Sequence, residues 1–449
     1  MRDLTQGPVT RSMLLFALPM IAGNLLQQFY NIADTLIVGR FLGSGALAAV
    51  GSSYSVMTFV TSILLGLSMG SGVLFSMLFG AGRMEDLRKS FVISFGFIGA
   101  IALVIEAATL VFLDPILVLL QIPADIYAET REYLFIIFIG TVFTFLYNYF
   151  ASLLRAVGNS SAPLFFLAVA AVLNVALDLF LVVVVKMGVA GAALATIIAQ
   201  AVSAAGIGWY ALAKMPALRP GREHFRFDRR ILRQIAQYSL LTCVQQSVMN
   251  FGILMVQGLV NSFGVSVMAA FAAAVKIDSF AYMPVQDFGN AFSTFIAQNS
   301  GAGKRDRIRA GLKSAVAAAF IFCIVISAAV FFLGGRLMLL FVQPWETEII
   351  AIGAQCLQIE GASYCGIGCL FLLYGLYRGL GKPGVSVVLT VISLGTRVAL
   401  AYLLAPIPAI GLLGIWWAIP IGWFLADAVG LLYYRRLGKK MPAEREETI

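Results

Sequence analysis

Charge is scarce in this chain. Only 12% of its 449 residues are Asp, Glu, Lys or Arg, where a soluble globular chain carries about a quarter. Histidine is nearly absent. The single one, His224, lies in a basic loop and is expected to have no partner. The five cysteines, Cys243, Cys323, Cys356, Cys365 and Cys369, form no CxxC pair and lie in or beside apolar segments. Cys365 and Cys369 fall one helical turn apart, and small apolar packing explains them better than a metal does. No nucleotide-binding loop, metal cluster or catalytic triad appears. Nothing therefore supports an enzyme, and no cofactor is expected. Basic residues outnumber acidic ones, 31 to 22, for a formal charge of +9. They fall in short loops between apolar segments, so they read as topology determinants and not as a nucleic-acid surface.

Apolar side chains are what the chain has in abundance: 60% of residues are hydrophobic, with mean hydropathy +0.92. A single water-soluble core does not hide that much, whereas about 20 apolar residues span a bilayer as a helix. Twelve apolar segments fall near 12–38, 46–78, 90–113, 130–152, 163–185, 189–213, 234–261, 266–298, 312–333, 350–374, 385–404 and 411–434. Arg2 and Arg11 precede the first one as in a signal peptide. That run is too long for one and contains Pro19 and Asp34, so it reads as a retained first helix. Lys and Arg concentrate in alternate loops, which predicts both termini in the cytoplasm of a cell whose plasma membrane holds the chain. The basic loop 214–233 divides the sequence into an N-terminal lobe, 1–213, and a C-terminal lobe, 234–449, which ends in a short basic tail. The expected fold is an all-α polytopic membrane protein. Its twelve transmembrane helices would form two pseudo-symmetric six-helix lobes around a central cavity.

The halves repeat. "LLRAVGNSSAP" from Leu153 resembles "LYRGLGKPG" from Leu376, pairing Arg155 with Arg378 and Gly158 with Gly381. The same offset carries Gly188 and Gly191 onto Gly411 and Gly414. Nearer the start of each half, Gly43 meets Gly264 and Gly82 meets Gly303. An even number of spans per half makes the repeats parallel, an arrangement known in secondary transporters with the substrate site between the halves.

A repeat shows which polar residues belong to one half only. Asp34 aligns with Met255, Asn174 with Arg397, Asp178 with Ala401, Thr196 with Ile419 and Pro19 with Leu240. The first half thus owns two carboxylates, an amide and a hydroxyl that the second lacks. Counted from the loops, Asp34, Asp178 and Thr196 share one depth in the outer half of the bilayer. Asn174 and Asp178, four apart, share a helix face. A buried carboxyl beside a second one holds a proton readily. A proton site is therefore favoured, with a sodium cage of Asp34, Asn174, Asp178 and Thr196 as the competing reading. Intramembrane ionisable groups are by default functional. Pro19, upstream in the same helix, removes a backbone hydrogen bond and offers a bend.

The second half carries Lys276, Asp278, Asp287, Glu360 and Arg397 within apolar segments. Lys276 and Asp278, two apart, do not face each other on a helix. Glu360 and Arg397 are candidates to pair across neighbouring helices, and charge-paired structural glue is the first reading of the set. Gln27, Phe29, Tyr30, Tyr147, Asn148, Tyr149, Met255, Tyr282 and Met283, with Glu360 and Arg397, are candidates to line a substrate cavity. An aromatic and methionine surface suits bulky, varied organic ligands.

"ALPMIAGNLLQQFYNIADTLIVGRFLG", "LLRAVGNSSAP", "LNVALDLFLV", "GVAGAALATIIAQ" and "YRGLGKPG" together resemble the multidrug and toxic compound extrusion (MATE) family, in its DinF-like prokaryotic branch. The resemblance covers the whole chain. It implies cation-coupled export of organic, often cationic and amphiphilic, compounds by alternating access of a monomer. The coupling ion would be H⁺, Na⁺ or both. It also implies that Asp34, Asn174, Asp178 and Thr196 form the coupling site and that Pro19 is the bend. The NorM-like branch is similar but places acidic coupling residues in the C-terminal lobe, where Met255 stands here instead of a carboxylate while Glu360 remains. A flippase of lipid-linked intermediates is the alternative. It calls for a strongly basic cavity, and Arg397 and Lys276 are the only deep candidates.

Overall fold

A computed structural model of the chain describes residues 3–440, apart from the side chains at 253–254 and 437–440. The expected basic tail beyond residue 440 lies outside the described residues. Fifteen α-helices follow one another, and no strand occurs among the described residues. They are α1 (Val9–Leu42), α2 (Ser44–Gly80), α3 (Met84–Val111), α4 (Leu113–Leu119), α5 (Ala124–Ile139), α6 (Thr141–Ala156), α7 (Ser161–Asp178), α8 (Gly188–Ala213), α9 (Arg229–Asn261), α10 (Val265–Gly301), α11 (Arg305–Met338), α12 (Thr347–Gly361), α13 (Tyr364–Gly379), α14 (Pro383–Leu404) and α15 (Leu412–Lys440).

Ten helical segments are long and apolar enough to span a membrane singly. Two bent pairs, α5–α6 at 44° and α12–α13 at 52°, complete twelve spans. The fourth and tenth segments, expected as plain helices, are therefore broken. In each, a short i→i−3 bond interrupts the helical ladder: Gly140 N–H to the Ile137 carbonyl, and Ser363 N–H to the Glu360 carbonyl. Glycine and serine are where sharp kinks concentrate. The two breaks fall at repeat-equivalent positions.

The repeat is written into backbone conformation as well. Gly43, Gly82, Gly158 and Gly188 all have positive φ, and so do their counterparts Gly264, Gly303, Gly381 and Gly411. A residue without Cβ adopts this geometry at no steric cost, so these positions sit in the tight turns that separate consecutive helices.

The chain divides into two compact units. One comprises Met1–Ser247, Asn290–Leu312 and Gly379–Gly381; the other comprises Val248–Gly289, Lys313–Arg378 and Lys382–Ile449. The first unit has an aromatic core of Phe75, Phe91, Phe145, Tyr149 and Phe150. Tyr149 is fully buried there, its hydroxyl shared with Ser94 at 2.6 Å and bonded to the Phe91 carbonyl at 2.7 Å. It packs the core and is not available to line a cavity.

Within the same unit α2 crosses α10 with the two backbones in direct contact. A Cβ on Gly80 would collide with the Gln298 carbonyl, and one on Gly301 with the Met77 carbonyl. The segment before α1 lies over the adjoining end. Leu4 N–H bonds Gln298 Oε1 at 3.0 Å, and the Arg307 guanidinium donates to the carbonyls of Leu4, Gln6 and Gly7. The loop 214–233 is also tied down. Contrary to the expectation from sequence, His224 does have partners: its Nε2 meets Glu85 Oε2 at 2.7 Å and its Nδ1 meets Glu223 Oε1 at 3.2 Å. Glu85 opens α3, far away in sequence, so sequence proximity gives no sign of the partnership.

In the second unit Phe271 stacks on Trp416 at 5.5 Å and the Tyr377 hydroxyl bonds the Gly430 carbonyl. α14 and α15 approach closely at Gly422, where a Cβ would strike the Ser393 carbonyl.

Candidate functional site

Helix α1 is one continuous α-helix that contains Pro19 and carries Asp34 in its C-terminal third. Its neighbour α7 ends at Asp178, and the chain then widens into π-helical turns over Leu179–Val184. Such turns are rare and gather at functional sites. No proline or glycine within "LDLFLVVVV" announces them. Opposite, α8 comes close because Gly191 has no side chain: a Cβ there would lie 3.2 Å from the Leu181 carbonyl carbon and oxygen. One and a half turns further along α8 stands Thr196.

These elements bring the four expected residues together. Asn174 and Asp178 are buried, at 2% and 0% exposure. Asn174 Nδ2 donates to Thr196 Oγ1 at 3.3 Å, and that hydroxyl donates to the Ala192 carbonyl at 3.1 Å. The carboxyls of Asp34 and Asp178 face each other. Asp34 Oδ1, Asn174 Oδ1 and both oxygens of Asp178 are buried without a hydrogen-bond donor. Buried acceptors are normally satisfied, and leaving even one unpaired costs about 1–3 kcal/mol. Four orphaned acceptors at one place fit a bound cation or a shared proton, and hard oxygen ligands suit a small hard cation.

Around the pair stand phenols. Tyr30 bonds Gln27 and lies within electrostatic reach of Asp34, Asp178 and Tyr147. Tyr133 of α5, 2% exposed, lies beside Asp34, Tyr30 and Asp178. Sequence reasoning misses it, because nothing in "REYLFIIF" separates a site tyrosine from a packing one. Tyr147 donates to the Pro163 carbonyl at 3.0 Å, and Asn148 donates back along its own helix to the Thr144 carbonyl at 2.9 Å.

The remaining expected residues lie in the second unit. Met255 is 37% exposed, and its carbonyl accepts from the Tyr402 hydroxyl at 3.4 Å. Tyr282 packs against Phe371. Lys276 sits over the Phe341 ring, 5.8 Å from its centroid, consistent with its not facing Asp278. Glu360 accepts a hydrogen bond from Cys356 at 3.2 Å and interacts with Asp278. No salt bridge within 4.0 Å joins Arg397 to Glu360 among the described residues. Arg397 instead acts on both Glu360 and Asp278 across space, which is the cluster sequence spacing could not assemble.

The family model described as MatE matches residues 19–180 and 240–403, one block in each half. The chain belongs to the MatE family. Members are membrane transporters and not enzymes. The chain is similar along its length to "Probable multidrug resistance protein YpnP" of Bacillus subtilis, with 29% identity over 440 residues and 96% of each chain covered. It is also similar to "Multidrug export protein MepA" of Staphylococcus aureus, with 24% identity, 99% of this chain and 97% of the relative. Among solved structures, an outward-facing multidrug resistance MATE transporter of the MOP superfamily superposes with TM-score 0.92 at 22% identity, covering 98% of both chains. A MATE transporter in the bent conformation superposes with TM-score 0.91 at 22% identity, covering 97% of this chain and 96% of that one. These structures share the fold of this MatE chain.

Proposed function

We propose that the protein is a cation-coupled antiporter that exports organic, cationic or amphiphilic compounds by alternating access. The carrying observation is the set of four donor-less buried acceptors where Asp34, Asn174 and Asp178 meet. A carboxyl pair facing one another in a low-dielectric site takes up a proton readily and releases it when the site opens to water. The proton is therefore the first coupling ion. Sodium is the second, because carboxylate, amide and hydroxyl oxygens also suit it. The relatives named for multidrug resistance and export support the substrate class. Lys and Arg in alternate loops support cytoplasmic termini, and the internal repeat supports two six-helix lobes that move against each other.

In this proposal protonation of the Asp34–Asp178 pair changes how α1 bonds to α7. α1 then bends at Pro19, where no backbone hydrogen bond resists it. The test is ethidium efflux into everted vesicles carrying the chain. Collapse by a protonophore, with indifference to a sodium ionophore, is the expected result. The reverse pattern selects sodium. Efflux that survives both removes ion coupling.

A further inference from the structure

The first unit sets an uncharged amide, Asn174, beside its facing carboxyls. The second unit holds a cluster on repeat-related helices. α12 is the counterpart of α5, and α14 of α7. Cys356 stands where Tyr133 stands in the first half, and Arg397 stands where Asn174 stands. Asn174 stands one helical turn before Asp178 on α7 and bonds Thr196, and Tyr133 lies within electrostatic reach of Asp34 and Asp178. Both second-half residues adjoin another facing pair, Asp278 and Glu360. The duplicated position has therefore kept its place beside two carboxyls and changed from a neutral amide to a fixed cation.

This second cluster is enclosed. Asp278 is 8% exposed, Glu360 6% and Tyr364 1%. Asp278 Oδ1, the Tyr364 hydroxyl and Arg397 Nε are buried without a well-aligned hydrogen-bond partner. Glu360 is held from one side by the Cys356 thiol. Among the described residues no salt bridge within 4.0 Å joins these groups to one another.

We propose that Asp278, Glu360 and Arg397 form a second-unit cation site in which the Arg397 guanidinium is a tethered, non-exchangeable occupant. Two carboxyls with one proton between them carry one negative charge, and one guanidinium cancels it. A buried charge left unpaired costs several kcal/mol, and arginine does not give up its proton in a protein. The cluster is thus neutral without a free ion, and it does not act as a second copy of the Asp34–Asp178 site. This inference rests on reading Asp34 and Asp178 as that exchangeable site.

The experiment counts bound cations on the purified full-length chain in lipid nanodiscs at neutral pH. Sodium is measured by equilibrium dialysis and protonated carboxyls by their infrared C=O stretch. In Arg397→Gln the sum is expected to rise by one equivalent, either as sodium or as a protonated carboxyl. The double variant Arg397→Gln/Glu360→Gln is expected to lose that gain, and Arg397→Lys to match wild type. An unchanged sum in a folded Arg397→Gln overturns the proposal. Should that variant not fold, the transplant Asn174→Arg decides. It is expected to remove the cation response of the first site, and a retained response overturns the tether. Asp34→Asn serves as the separate control. If its sodium and proton count equals wild type, the reading of the first site fails, whatever Arg397 does.

Discussion

At the scale of single residues, the proposed coupling makes Asp34 and Asp178 not interchangeable with their amides. Asn is nearly isosteric with Asp but cannot give up a proton near neutral pH. Asp34→Asn and Asp178→Asn are each expected to lower cation-driven ethidium efflux at least about tenfold while leaving the amount of protein in the membrane unchanged. Full cation-dependent efflux in either variant removes that residue from the mechanism. His224 makes a contrasting case. Its ring is 3% exposed, bonds Glu85 and accepts from the Gly221 N–H, so His224→Ala removes those bonds together with a buried ring. A loss of about 0.5–1.5 kcal/mol for each bond in denaturant titration, with efflux per folded molecule unchanged, is expected. Four residues of the candidate site stand out in the sequence because the repeat isolates them as polar in one half and apolar or different in the other. Tyr133 does not, since its counterpart Cys356 is equally unremarkable and its electrostatic reach to Asp34 joins helices far apart in sequence.

Among the helices, the long ones are legible in the sequence and their interruptions are not. Hydropathy marks where a span begins and ends, and the glycines with positive φ mark the turns. It carries no signal for the breaks at Gly140 and Ser363 or for the π-helical turns after Asp178, because those follow from packing against other helices. α1 shows the limit from the other direction. Pro19 stands out in the sequence as a point of weakness, yet α1 runs through it without ending. Pro19→Ala restores a backbone bond worth about 0.5–1.5 kcal/mol net and stiffens α1. It is expected to slow transport while proton uptake by the Asp34–Asp178 pair, read by infrared spectroscopy, stays as in wild type. Unimpaired transport in that variant removes the bend from the cycle. Gly191 belongs to the same scale. A larger residue there pushes α8 from Leu181, which separates Thr196 from Asn174. Gly191→Val is expected to weaken sodium binding in equilibrium dialysis without touching a ligand.

Taken whole, the molecule is two copies of one plan that have diverged at the candidate site. The paired glycine turns and the paired breaks at Gly140 and Ser363 keep the plan; Asp34 against Met255 and Asn174 against Arg397 record the divergence. The crossing of α2 and α10 brings an element of each copy into backbone contact, and overpacking there is costly. Gly301→Ala places a methyl group against the Met77 carbonyl, and a loss of about 1–3 kcal/mol in stability, read from the unfolding midpoint, is expected.

That crossing says something more. Gly301 is the repeat counterpart of Gly80, and Gln298 of Met77. Gly80 sits against the backbone of Gln298 while Gly301 sits against the backbone of Met77. Each side makes to the other the contact it receives. Such reciprocity is what an isologous contact has between identical subunits, here made inside one chain by the two copies of one sequence element. A cost imposed at one glycine therefore has its twin at the other: Gly80→Ala meets the Gln298 carbonyl as Gly301→Ala meets that of Met77.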